Sequence, residues 1–125
     1  MKTFATLIVA VLLSGCAQIQ GLIPSFNDTN QSARIIDVRQ AIAEINCEQA
    51  QMPQVQRVKS QIQWFELYSE SRGRQSDVLA LVKPIDETVG EWIKRGEGSK
   101  GYCTLKKSIL TQQAHRAASA VLGRF

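Results

Sequence analysis

Four apolar stripes at helical spacing constrain this chain more than any other feature. In residues 32–51, Ile35, Val38, Ile42 and Ile45 recur every three or four residues, the period of one side of an α-helix. Asn30 or Ser32 can cap its start by accepting a hydrogen bond from a free amide. Pro53 ends it, because the proline ring clashes with the preceding turn, and Cys47 then falls in its closing turns. The same proline suits the opening of a second helix over 53–69, with Val55, Val58, Ile62 and Phe65 as its stripe. At about 100° per residue, Trp64 and Leu67 point well away from that stripe. A helix apolar on two sides is expected at the centre of a bundle or along a groove.

The polar stretch 69–76, holding Ser71-Arg72-Gly73-Arg74, reads as a loop. Ser76 or Asp77 can cap a third helix with the stripe Val78, Leu81, Val82, Ile85, Val89 and Trp92. Pro84 predicts either a kink or a short turn followed by a new helix. The split is well signalled: Asp86 and Glu87 suit a positive helix start, Lys94 and Arg95 a negative end, and Gly96 a stop. Residues 96–101 form a flexible loop, and the last helix covers 103–122, with Gly123 as its cap. Leu105 and Ile109 face one way, Leu110, Ala114, Ala117 and Val121 another. No strand pattern or repeat interrupts this order. The expected fold is all-α, a small four-helix bundle over 32–125 with its third helix kinked or split at Pro84.

The N-terminus has a different character. Lys2 is followed by an uncharged apolar run, Phe4 to Leu12, and then by small residues, the order of a secretory signal peptide. The run is far shorter than the ~20 residues a spanning helix needs. Leu13-Ser14-Gly15-Cys16 resembles the lipobox of bacterial lipoproteins. The resemblance implies removal of residues 1–15 and a covalent lipid on Cys16, with 16–31 as a lipidated tether. Ala17 stands where retention in the inner membrane resembles Asp, which favours the outer membrane and a periplasm-facing anchor.

If Cys16 carries lipid, two of the three cysteines remain, and an exported protein meets an oxidising compartment. Cys47 and Cys103 are then expected to be bridged. Two free thiols or a shared metal are the alternatives that the residues leave open. A bridge matters for a chain this small: aromatic residues are only 6% of it, and an aliphatic core of this size is marginal without a staple.

Chemistry is sparse. The one histidine, His115, has no evident partner, and Ser108, Ser119 and the carboxylates show no spacing of a triad or an acid–base pair. Metal ligation needs a denser cluster. The expectation is a binding protein, not an enzyme, with no cofactor, no small-molecule substrate and no nucleic acid partner. Removing Lys2 leaves 14 basic against 11 acidic residues, a net +3 that mainly serves solubility. Two binding features stand out: Trp64 with Leu67 and Tyr68, and a basic group around the last loop, Lys94, Arg95, Lys100, Lys106 and Lys107.

In layout the chain is similar to the helical pilotins of type II secretion systems, small outer-membrane lipoproteins with a helical bundle and an internal disulfide. The matching parts are Leu13-Ser14-Gly15-Cys16, Cys47 followed by Pro53 at a helix junction, and Cys103 opening the last helix. The resemblance implies a chaperone that captures a helix of an outer-membrane secretin. The alternative is an envelope or phage-encoded surface lipoprotein that blocks or remodels a receptor, a murein enzyme or a lysis complex.

Overall fold

A computed structural model describes residues 28–73 and 75–123. The expected signal peptide, Cys16, the expected tether as far as residue 27, Arg74 and residues 124–125 lie outside them. The described residues are helical throughout apart from short connections: α1 Thr29–Ala43, α2 Gln51–Arg72, α3 Ser76–Arg95 and α4 Lys100–Leu122. Each helix packs on its neighbours in the chain, and α1 also packs on α4, closing a ring of four. Connections of seven, three and four residues leave no room for a crossover, so consecutive helices run antiparallel. Among the described residues no helix is long and apolar enough to cross a membrane.

The stripes meet at the centre. Ile35, Val38, Ile42 and Ile45 pack with Val55, Val58, Ile62 and Phe65, and with Val78, Val82, Ile85, Val89 and Trp92. Leu110, Ala114, Ala117 and Val121 complete the core, their alanines letting α4 approach closely. Trp92 and Phe65 are the largest fully buried side chains. Truncating a residue of that size in a packed interior costs about 3–5 kcal/mol. Two buried glutamines are paired. Gln31 Nε2 donates to Ser69 Oγ and to Gln75 Oε1, both at 3.0 Å. Gln51 Oε1 accepts from Trp92 Nε1 at 3.3 Å and from the Gly98 amide at 3.1 Å.

The disulfide joins Cys47 to Cys103, whose Cα atoms lie 5.8 Å apart. The helix limits differ from the expected ones for identifiable reasons. α1 ends at Ala43, not at 51, so Cys47 lies in the connection to α2 and not in the helix. The backbone released there finds distant partners: Lys107 Nζ donates to the Ile45 carbonyl at 2.7 Å, and Gln54 bonds both amide and carbonyl of Asn46. α2 starts at Gln51, two residues before Pro53. The Glu97 carboxylate caps it, accepting from the amides of Gln51 and Met52 at 2.8 Å each. α2 runs on to Arg72, where Gly73 at φ 65° stops it. α4 starts at Lys100 because Ser99 caps it, its hydroxyl accepting from the Tyr102 amide. The 96–101 loop therefore shrinks to 96–99.

α3 is not split at Pro84; it is one helix across it. Pro84 lacks the amide that would reach Ala80, but both residues are exposed, so the carbonyl left without a donor faces solvent. Val82 and Ile85 on either side stay buried, and their packing holds the helix in one piece.

Candidate binding surface

Trp64, Leu67 and Tyr68 lie on the side of α2 turned away from the core. Trp64 is 41% exposed and Leu67 67%, while their neighbours Ile62 and Phe65 are fully buried. The three form a shelf whose geometry is fixed from both helices of that edge. Trp64 stacks on Tyr68, with ring centres 5.2 Å apart and planes 10° from parallel. The Arg34 guanidinium of α1 lies 4.2 Å from the Trp64 ring centre and also pairs with Asp37 at 3.0 Å. A cation against an indole is worth about 0.5–1 kcal/mol at an exposed site. The indole is thus held before any partner arrives.

Tyr68 ties the shelf to the first described residue. Its hydroxyl donates to the Asp28 carboxylate at 3.1 Å and accepts from Asn30 Nδ2 at 3.1 Å. Asp28 also caps α1, accepting from the Asn30 and Gln31 amides, and pairs with Arg72 Nε at 3.1 Å. Burial alone would raise the Asp28 pKa. The two amides, the Tyr68 hydroxyl and the Arg72 charge outweigh it and hold the carboxyl below its ordinary value.

The shelf is poor in charge. The exposed residues along the outer line of α2 are Gln56, Arg57, Ser60, Gln63, Trp64, Leu67 and Ser71, and the one cation among them, Arg57, pairs with Glu44 at 2.7 Å. Glu66 and Glu70 sit on the other flank, lining a shallow hollow with Ser76, Leu79, Ala80 and Lys83 of α3.

The basic group is at the opposite end of the bundle, beside the disulfide. Most of it is engaged within the protein. Lys100 pairs with Glu48, Lys106 with Glu91 at 3.2 Å, and Lys107 holds the Ile45 carbonyl. Arg95 lies 4.0 Å from the Tyr102 ring centre. Lys94 is exposed on α3. The structure therefore separates the two expected features: Trp64, Leu67 and Tyr68 form one surface, and the basic residues close the far end. Leu105, 57% exposed, adds a single apolar side chain there.

Arg34, Asn30 and Asp28 belong to the shelf and were not legible as such. An Asp before a helical stripe is a capping signal, but the contact of Arg34 with Trp64 depends on how α1 sits against α2. His115, Ser108 and Ser119 are exposed on α4. Among the described residues no group of three or more His, Cys, Asp or Glu could hold a metal ion.

Compared with known proteins, the chain matches no family model, no curated protein and no solved structure.

Proposed function

We propose that this chain is a lipid-anchored binding and assembly factor of the bacterial envelope, without catalytic activity. In this reading it is exported, cut before Cys16 and acylated there, and stands on the periplasmic face of the outer membrane. The shelf on α2 takes the apolar side of a partner helix, and the likeness in layout to pilotins makes an outer-membrane secretin the expected source of that helix.

One observation carries the capture surface: an indole fixed by stacking and by a guanidinium, beside a leucine two-thirds exposed, on a bundle that buries Phe65 and Trp92 fully. A preset aromatic anchor loses little conformational freedom on binding, and such residues dominate binding hot spots. An amphipathic helix laid on it would bury Leu67 and the exposed part of Trp64. Export agrees with the Cys47–Cys103 bridge, since disulfides persist in oxidising compartments, and the bridge leaves Cys16 as the odd cysteine.

Crosslinking in the native cells, followed by co-purification, identifies the partner. With that partner in hand, Trp64→Ala is expected to weaken capture by more than about 2 kcal/mol, roughly thirty-fold, while the melting curve stays near wild type. Capture undiminished by a folded Trp64→Ala variant refutes the assignment of the shelf. For the anchor, Cys16→Ala is expected to leave an uncleaved or mislocalised precursor without radiolabelled palmitate; equal label on wild type and variant refutes acylation at Cys16.

A further inference from the structure

The sequence just before the described residues has the composition of a ligand for the shelf. Residues 17–27 contain no charged side chain, and four of them are large and apolar: Ile19, Leu22, Ile23 and Phe26. The shelf they would meet offers Leu67 and the exposed part of Trp64, and its nearest cations, Arg34 and Arg72, are already paired with Asp37 and Asp28. The segment brings no ion to desolvate, which removes one large cost of such a contact.

The place where the segment joins the bundle makes the encounter local. Asp28 is held at the edge of the shelf by the Tyr68 hydroxyl and Arg72. Phe26 is two residues upstream of that joint, at most about 7 Å of chain, and Leu22 six, at most about 22 Å. Trp64, Leu67 and Tyr68 are neighbours on one helical turn, about 5–6 Å apart at their Cβ atoms. A segment tethered so closely meets the shelf at an effective concentration on the order of millimolar, without any partner being present.

We propose that residues 19–26 are the resident occupant of the shelf, an intramolecular ligand that a partner helix must displace. The inference rests on the reading of the shelf as a capture surface, and adds its regulation. Displacement would free residues 17–27, which can span up to about 40 Å when extended. Capture would then lengthen the leash between the lipid on Cys16 and the bundle. A bundle held close to the membrane by its own tether would be released from it by its cargo.

The test uses the lipidated mature chain in nanodiscs of phosphatidylethanolamine and phosphatidylglycerol, with a photoreactive benzophenone side chain at position 67. Irradiation is expected to give crosslinks within one molecule, from position 67 to residues 19–26, mapped by mass spectrometry. The variant Ile23→Asp/Phe26→Asp is expected to lose them. In the chain without the photoreactive group, the same two substitutions should raise acrylamide quenching of Trp64 roughly two-fold as its apolar surface is uncovered. Trp92, fully buried, supplies the unquenched floor. A synthetic peptide of residues 17–27 added to that variant should restore the protection. Crosslinks only to lipid or to a second copy, no crosslink at all, or quenching unchanged by the substitutions would each overturn the inference. The outcome is separable from the capture reading. A partner crosslinked at position 67 in cells, with no tether crosslink in the isolated chain, refutes the inference alone. A tether crosslink in a protein that captures no partner refutes the capture reading and leaves the contact standing.

Discussion

Glu66 shows how single residues set the energetics along the flank of α2. Burial pushes its carboxyl pKa up, and the nearby charges of Asp86 and Glu70 push it further. Lys59 opposes them incompletely, being itself paired with Asp86. A carboxyl with a raised pKa in the folded state favours its protonated form. The stability it contributes is full below the unfolded value, near pH 4, and is lost as pH rises through the folded pKa. Glu66→Gln removes the charge and keeps the shape, so it is expected to raise the melting temperature at pH 7. That gain should fade near and below about pH 4, where the wild-type group is protonated in both states. Thermal melts of both proteins at the two pH values decide it; a gain independent of pH would mean that charge is not the cause. Asp28 has the opposite sign. Its pKa is lowered, so its contribution is present above the ordinary carboxyl value and lost as acid protonates it. Acid therefore loosens the contacts of Asp28 with Tyr68 and Arg72.

At the scale of elements, α3 carries two residues that a helix interior disfavours, Pro84 and Gly90. Gly90 is the simpler one. Nothing lies within 4 Å of where its Cβ would stand, and its φ is not in the left-handed region. Gly90→Ala is thus expected to stabilise by about 0.5–1 kcal/mol, mostly by restricting the unfolded chain. Urea titration measures this directly, and a destabilised variant would mean that α3 needs freedom at that point. The same element shows what a sequence conveys. Of its six stripe residues Val78, Val82, Ile85, Val89 and Trp92 are buried and Leu81 is half-buried at the stripe's edge. The stripes of α1 and α2 and the Leu110–Val121 side of α4 are buried, while Leu105 on the other side of α4 is exposed. What periodicity cannot give is where long-range partners take over a helix end. Glu97 caps α2 from 46 residues away, and Lys107 reaches the Ile45 carbonyl across 62. Pro53 looked like the terminator of α1, but it sits inside the first turn of α2, where a missing amide is harmless. That Trp64 and Leu67 turn away from the core stripe was legible from their angle, but a central place in the bundle fitted that angle as well as an exposed one. Arg34 over the indole was not legible, since it depends on the register between two helices.

The whole molecule has two unlike ends. One holds the Asp28 joint and the shelf; the other is closed by the disulfide, the Glu97 cap and the engaged lysines. At the closed end the Gln51 side chain binds both the amide and the carbonyl of Gly98, and a Cβ on Gly98 would come within 2.4 Å of the Tyr102 ring. This close fit joins the 96–99 connection to α2, but no core stripe reaches into the 44–50 connection beyond Ile45, so the Cys47–Cys103 bridge holds it together with the polar contacts of Gln54, Lys100 and Lys107. The bridge spans 56 residues, and in the chain-entropy model closing a loop of that length stabilises by about 4 kcal/mol. That is of the order of the whole net stability of a small domain. The double variant Cys47→Ala/Cys103→Ala, which avoids placing a polar group at the fully buried Cys103, is expected to melt roughly 20 °C lower than the bridged protein. The reduced wild type should fall by a similar amount, because both lose the same restriction of the unfolded chain. Calorimetry with and without reductant measures the shift, and mass spectrometry of unreduced peptides shows the bond in protein taken from its cells. Alkylatable thiols at both positions in that protein, or a double variant that melts with the wild type, would place the stability of the bundle in its aliphatic core alone.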